Sequence, residues 1–181
     1  GLKRAAFSVV MTDDDGEPLC VISGTVPRHY PQTPQAAEYL GAYVAACFVR
    51  SPTVLHDDCA GVVGAFAKPR AAWANEAHCY TGVMIRAAAK DPCGHLSVVK
   101  VAAHTSSTGL EGVALRNWLG NDHADSYALA AAKMHPAPTK EVADQVKRLV
   151  KHTEAAIEVI ANVLPCWDLT FQRYERAPTV H

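Results

Sequence analysis

The 181-residue sequence has little of what would assign it to several large classes of protein. Its six cysteines include no Cys-x-x-Cys pair, so the commonest spacing of a structural zinc site is missing. No apolar run approaches the roughly 18 residues that a membrane span needs, because the longest ends at Arg50. We therefore expect reduced core cysteines, no membrane contact and an intracellular location, cytoplasmic or nuclear.

The sequence also has no surplus of charge of either sign. Its formal net charge is -1 and its pI is about 6.8, so overall charge does not attract it to nucleic acid. Any such contact would need a local basic patch. A hydrophobic share of 49% is enough for one domain with a sizeable core and a short appendage.

The first structural feature present is a hairpin pattern. Two strand-like runs, residues 6–12 and 19–26, flank a turn that contains Asp15 and Gly16, which favours antiparallel pairing. Asp13 and Asp14 stand in the same turn, where they could be metal ligands at a strand end or turn-forming residues. The hairpin pattern favours solvated turn residues.

After the hairpin, strand patterns alternate with helix patterns. Thr33 and Pro34 are typical of a helix start, and this helix should reach about Val49. The further predicted elements are a strand at 53–57, a helix from Asp58 to about Phe66, one or two helices within 71–90, a buried strand at 96–103, a flexible connection at 104–119, and helices at 122–134 and 139–164. This order favours a mixed sheet covered by helices.

Three acids recur at the boundaries of these elements. Glu38 lies in the first turn of the first helix, Asp58 at the end of a strand, and Asp125 in the first turns of the helix after the flexible connection. Such ends meet along one edge of an α/β sheet, so we expect the carboxylates to converge. Each has a simpler interpretation as well: a first-turn acid, an N-cap or a surface acid, respectively.

Three segments, in this order, resemble the ribonuclease H domains of retroelement reverse transcriptases, in particular the non-LTR type. QTPQAAEYLGAYVAA is similar to their Q-x-A-E helix, and TVLHDDCAGVV to their T-D-S segment with its two valines. VVKVAAHTSSTG and GNDHADSYALAA are similar to their strand, flexible histidine loop and last acidic helix. The resemblance covers roughly residues 5–134.

The resemblance implies an α/β fold, a ribonuclease H-like mixed sheet with helices on both faces, within residues 1–135. A C-terminal helix and tail, residues 136–181, lie outside it. The residues that it implies as catalytic are Glu38, Asp58, His104 and Asp125, the three acids being metal ligands. Asp57 is the alternative to Asp58, and Asp125 matches better than Asp122. His56 is interpreted as a structural residue.

The implied reaction is hydrolysis of the RNA strand of an RNA/DNA hybrid. Two Mg²⁺ ions, with Mn²⁺ as an alternative, would activate water and stabilise the leaving oxygen, and carboxylates are the hard oxygen ligands that Mg²⁺ prefers. A histidine that titrates near neutrality on a mobile loop, as implied for His104, can protonate the leaving group. The partners implied are the hybrid and the upstream reverse transcriptase part of the same polyprotein.

Further residues would contact the substrate if the resemblance holds. Lys68, Arg70 and Trp73 follow the second helix, where some relatives carry a basic, aromatic-bearing protrusion that grips the DNA strand. A solvated turn with a core tryptophan is the alternative. Gln35 and Asn121 would meet the sugar edge, where the 2′-OH distinguishes RNA from DNA.

One family ligand has no counterpart in this sequence. The family's first catalytic aspartate lies in its first strand, two strands ahead of the glutamate helix, whereas only the strand at 19–26 fits between Gly16 and Thr33. We therefore expect the N-terminal strand and its aspartate upstream of Gly1, and weak or absent activity without them. Two other functions stay open: a degenerate, non-catalytic module that braces a polymerase or binds nucleic acid, and a DNA-cutting nuclease of the same fold.

Overall fold

In the computed structural model, which describes residues 4–73, 79–102 and 106–164, the first element is the predicted antiparallel hairpin of β1 (Ala6–Thr12) and β2 (Pro18–Thr25). Gly16 makes the reversal with a φ of +92°, which favours glycine. The Asp13 side chain accepts hydrogen bonds from the backbone N–H groups of Asp15 (3.0 Å) and Glu17 (2.9 Å). The aspartate run therefore forms the turn, as predicted.

The order of the remaining elements also agrees with the prediction. They are α1 (Pro34–Phe48), β3 (Thr53–Asp57), α2 (Ala60–Phe66), α3 (Arg70–Trp73), α4 (Thr81–Lys90), β4 (Leu96–Lys100), α5 (Gly112–Lys133) and α6 (Lys140–Val163). The described residues divide into two units, 4–136 with every element through α5, and 137–164 with α6. None of the helices in the described ranges is long and apolar enough to span a membrane.

Helix α1 is central to the core of the first unit. The Thr33 hydroxyl caps it by accepting from the N–H of Ala36 (3.2 Å), and Pro34 opens it. Tyr39 stacks on the ring of Tyr80 with 4.6 Å between centroids, and its hydroxyl donates to the carbonyl of Gly61 (3.0 Å). These contacts fix α1 against α2 and the start of α4, and hence fix every side chain that α1 carries.

The strands form two separate two-stranded sheets instead of the single mixed sheet that was predicted. Strand β1 pairs with β2 antiparallel, β3 pairs with β4 parallel, and no described strand joins the two pairs. The α/β class is confirmed, but the single sheet is wrong for the described residues. Local sequence patterns indicate strands, whereas their pairing depends on which distant edges meet.

Helix α5 is much longer than predicted. The flexible connection was expected to reach residue 119, yet the helix begins at Gly112 and contains Gly120 in its interior. A glycine inside a helix costs about 1 kcal/mol relative to alanine, which by itself would favour a helix end there. Contact with the hairpin compensates: a Cβ on Gly120 would lie 3.8 Å from Cγ2 of Thr12, and one on Gly16 only 2.8 Å from Cδ1 of Leu119.

Two predictions about burial are wrong. Strand β4 ends at Lys100, and only Leu96 of its residues is buried, whereas Ser97, Val99 and Lys100 are exposed. It was expected to be a buried strand because of its apolar run, but it is half-buried: Val98 packs against the core, whereas the exposed side chains lie at the surface. The five described cysteines are free, as expected of reduced thiols, yet none is buried; they are Cys20, Cys47, Cys59, Cys79 and Cys93.

Candidate metal centre

A pocket lies between β1 and β3, with α1 and α5 completing its walls. Each of its four acidic residues is a candidate ligand predicted from the sequence, as a first choice or as an alternative. They are Glu38, Asp57, Asp58 and Asp125. The carboxylates of the first three lie close enough that one oxygen from each falls within 4.8 Å of the others. Two of the three predicted acids, Glu38 and Asp58, therefore come together, whereas Asp125 lines the pocket outside this group.

Glu38 reaches this pocket because α1 approaches β1 closely. One turn further along, a Cβ on Gly41 would lie 3.7 Å from Cγ2 of Val9 and 3.8 Å from the carbonyl oxygen of Ser8, so a larger side chain there would crowd the strand. Glu38 stands between the buried Ala37 and Tyr39, beyond the first turn of the helix. The first-turn position assigned to it from the sequence is therefore wrong by one residue.

Asp57 and Asp58 stand where β3 ends and the chain turns toward α2. Asp57 is 7% exposed and accepts a hydrogen bond from the N–H of Cys59 (2.7 Å). Cys59, not Asp58, is the N-cap of α2, so the helix start assigned to Asp58 is wrong. Asp58 instead lines the pocket, and its backbone carbonyl accepts a hydrogen bond from the Lys100 ammonium group.

Helix α5 supplies the fourth acid from its middle, not from its first turns as predicted. Asn121, Ala124, Asp125 and Ala128 all line the pocket, and the three- and four-residue spacing places them on one face of the helix. Asp122 is exposed, and it is neither a cap nor a first-turn acid. The two alternatives thus separate: Asp125 faces the acids of α1 and β3, whereas Asp122 does not line the pocket.

The pocket is electrostatically costly. Burial, reinforced by the negative charges of Asp57, Asp58 and Asp125, raises the pKa of Glu38 to about 8. Burial also raises the pKa of Asp57 to about 6, with Asp58 adding to the rise, while the Cys59 N–H and the Lys100 charge oppose it. Without a cation the pocket therefore favours a protonated Glu38 near neutral pH.

Two residues proposed to grip the substrate have structural partners instead. Trp73 is buried, and its indole N–H donates to the carbonyl of Ala65 (2.9 Å), which agrees with the alternative of a core tryptophan. Arg70 makes an ion pair with the buried Asp91 (2.9 Å) and lies over the Trp73 ring. Lys68 is exposed.

Three further residues were predicted to contribute to the site. Asn121 lines the pocket, and Gln35 is exposed beside Gly61. His104, the implied loop histidine, lies outside the described residues.

Two further residues line the pocket that were not predicted as site residues. His56, interpreted from the sequence as structural, is exposed and lines the pocket, and burial together with the charge of Arg116 lowers its pKa. Ser8 of β1 lines it as well, and its hydroxyl has no hydrogen-bond partner among the described residues. No sequence motif marks either residue, because this wall of the pocket forms only when β1 packs near β3. A period-two alternation along β3 could have placed Asp57 on the inner face with Leu55.

The donor set suits a hard divalent cation. All three ligand atoms that come together are carboxylate oxygens, which Mg²⁺ and Mn²⁺ prefer, and the set contains neither a thiolate nor an imidazole. Bound positive charge would also offset the burial and the repulsion that raise the pKa of Glu38. No family model, curated protein or solved structure matches the chain.

Proposed function

We propose that this protein is a metal-dependent endonuclease of the ribonuclease H type, which hydrolyses the RNA strand of RNA/DNA hybrids within a retroelement polyprotein. One observation carries the proposal: Glu38, Asp57 and Asp58 bring carboxylate oxygens within 4.8 Å of one another, and Asp125 lines the same pocket. The convergence of acids from α1, β3 and α5 is what a site for divalent cations requires.

The four carboxylates would hold Mg²⁺ or Mn²⁺, which would supply Lewis-acid assistance to phosphodiester hydrolysis when bound. Without cations the same carboxylates would repel a phosphate, so substrate binding at the pocket would depend on the metal. The amide of Asn121 can donate to and accept from a sugar hydroxyl at the same wall. A hybrid is the substrate that fits the sequence resemblance.

The gap between the two sheets supports the related proposal that the active protein contains one more strand. The backbone groups of Ala5 and Phe7 are on the side of β1 that hydrogen-bonds to β2. Because successive residues of a strand direct their backbone groups to alternate sides, the N–H and C=O groups of Ala6 and Ser8 point away from β2. In β3, the same alternation turns those of His56 away from β4. A strand between β1 and β3 could pair with both, and an aspartate on it would join the pocket.

The unpaired edges also favour a second candidate, a non-catalytic module that binds nucleic acid or braces a polymerase. If no strand fills the gap, the pocket keeps only its present acids. Such a protein would bind a divalent cation without cutting the hybrid.

The test is cleavage of a labelled RNA/DNA hybrid with Mg²⁺, alongside duplex DNA of the same sequence. It uses the 181 residues and, in parallel, the protein with any residues that its gene encodes ahead of Gly1. Glu38→Gln, Asp58→Asn and Asp125→Asn should each lower hybrid cleavage by at least about a hundredfold, and Asp57→Asn compared with Asp58→Asn identifies the stronger ligand.

Asp122→Asn is the matched control, because it changes an acid on the same helix outside the pocket. Hybrid cleavage retained in both Glu38→Gln and Asp58→Asn would refute the assignment. Preferred cleavage of duplex DNA would favour a DNA-cutting nuclease. Metal binding with no cleavage by either form of the protein would favour the non-catalytic module.

A further inference from the structure

Lys100 places a positive charge beside the acids of the pocket. It is the last residue of β4, and the parallel register sets it opposite Asp57, the last residue of β3. Because side chains alternate along a strand, Lys100 lies on the same face as Val98, and Asp57 lies on the same face as Leu55. Both Val98 and Leu55 pack against the core. The side chains of Asp57 and Lys100 are therefore neighbours on the inner face of this sheet.

The contacts of Lys100 agree with this position. Its ammonium group donates a hydrogen bond to the backbone carbonyl of Asp58, and its positive charge opposes the rise in the pKa of Asp57. Lys100 is nevertheless exposed, and it is not one of the residues that line the pocket. It therefore stands at the rim of the pocket and leaves the interior to the acids.

The positive charge of Lys100 is less engaged than the charges of two arginines in the same unit. Arg70 pairs with Asp91 at 2.9 Å, and Arg116 pairs with Asp14 at 2.8 Å. Lys100 donates to a neutral carbonyl instead, and among the described residues this bond uses one of its three N–H donors. Lys100 can therefore bind an anion without breaking an ion pair within this part of the chain.

A nucleic acid that reaches the pocket brings anions of this kind. Each strand carries a regular series of phosphates, which a group of carboxylates repels unless positive charge stands nearby. We propose that Lys100 binds a backbone phosphate of the hybrid at the rim, while the pocket itself receives the phosphate to be cleaved. The inference rests on the proposed function, because it requires the hybrid to occupy the pocket.

The first test is binding of a fluorescent RNA/DNA hybrid to the full chain, followed by anisotropy with Ca²⁺ in place of Mg²⁺ to prevent cleavage. Lys100→Met should weaken binding by about fivefold to tenfold. It should also reduce the slope of log affinity against log salt concentration by about 0.7 to 0.9, as expected for the loss of one phosphate contact. Lys100→Arg keeps the charge and should retain both values. Lys90→Met removes an exposed lysine at the end of α4 and should change neither.

The second test is Mn²⁺ affinity without nucleic acid, which separates phosphate binding from a structural role. Lys100 repels a cation in the pocket, so Lys100→Met should bind Mn²⁺ about threefold to tenfold more tightly than the wild type. If Lys100 only held the corner between β3 and α2 in place, its removal would loosen the acids and weaken Mn²⁺ binding.

The outcomes distinguish this proposal from the proposed function. Weaker Mn²⁺ binding by Lys100→Met, or wild-type hybrid affinity and salt slope in that variant, would overturn the phosphate contact alone. A wild type that binds Mn²⁺ but no hybrid would overturn both the phosphate contact and the nuclease proposal.

Discussion

Two sites in the first unit bury carboxylates, and they treat the charge in opposite ways. Asp91, 3% exposed, accepts hydrogen bonds from the backbone N–H groups of His95 (2.9 Å) and Leu96 (3.0 Å) and pairs with Arg70 (2.9 Å). Burial alone raises the pKa of Asp91, but these donors and the Arg70 charge outweigh it and lower the pKa overall. Asp91 is thus a compensated acid that ties α3 and the start of β4 to the end of α4.

The acidic pocket has much less of this compensation. Burial and the charges of the other acids all raise the pKa of Glu38, and for Asp57 the Cys59 N–H and the Lys100 charge oppose the rise without cancelling it. Burial of a carboxylate therefore does not by itself indicate a functional site. What distinguishes the two regions is whether the protein supplies the donors and cations that the charge requires.

The largest expected effect is the pH dependence of stability without metal. Because the folded-state pKa of Glu38 is about 8 against an ordinary 4.5, the folded protein holds a proton that the unfolded chain releases, and stability falls as pH rises between these values. The loss should be on the order of 3 to 5 kcal/mol, and Glu38→Gln should remove most of it. Urea unfolding in the presence of EDTA at several pH values measures it. A Glu38→Gln protein with the wild-type pH profile would show that this carboxyl is not the group responsible.

Asp91, the compensated acid, should stabilise the folded protein, and its contribution should depend on pH in the direction opposite to that of Glu38. Asp91→Ala leaves two backbone N–H groups and the Arg70 charge without their partner, and we expect a loss of about 2 to 3 kcal/mol, reduced by the partial exposure of Arg70. Since the pKa of Asp91 is lowered, its contribution is present above pH 3.8 and fades as pH falls below that value. Urea midpoints at pH 7 and pH 3 measure the difference. A variant as stable as the wild type at pH 7 would contradict the structural role of Asp91.

The smallest effect is expected at the aspartate run. Asp14 pairs with Arg116 at 2.8 Å, but its side chain is fully exposed, so Asp14→Asn should leave the free energy of unfolding nearly unchanged. It should also leave divalent-metal affinity unchanged. A substantial loss of metal affinity in this variant would move the candidate site from the pocket to the hairpin.

The sequence could predict what local chemistry determines. The hairpin turn at Gly16, the cap of α1 at Thr33 and the cap of α6 at Thr139 all follow from nearby residues, and each is present. Glu38, Asp58 and Asp125 also line one pocket, as expected, although Asp125 lies in the middle of α5 and not near its start.

What the sequence could not predict depends on contacts between distant segments. The flexible connection was expected to reach residue 119, yet α5 begins at Gly112, packs against the hairpin and continues through Gly120. The split into two sheets reflects the pairing of distant edges, which no local pattern encodes. The place of His56 in the pocket wall likewise follows from the approach of β1 and α5 to β3.

Calorimetric titration of the protein with Mn²⁺ at pH 7, in two buffers of different ionisation enthalpy, tests most directly whether the acidic pocket is a metal site. Metal ions bind the deprotonated carboxylate, so binding should release about one proton per chain, held by Glu38 beforehand. Glu38→Gln should abolish both the proton release and most of the affinity, whereas Asp14→Asn should retain both. Undetectable Mn²⁺ binding by the wild type, or equal binding with equal proton release in Glu38→Gln, would contradict the metal site.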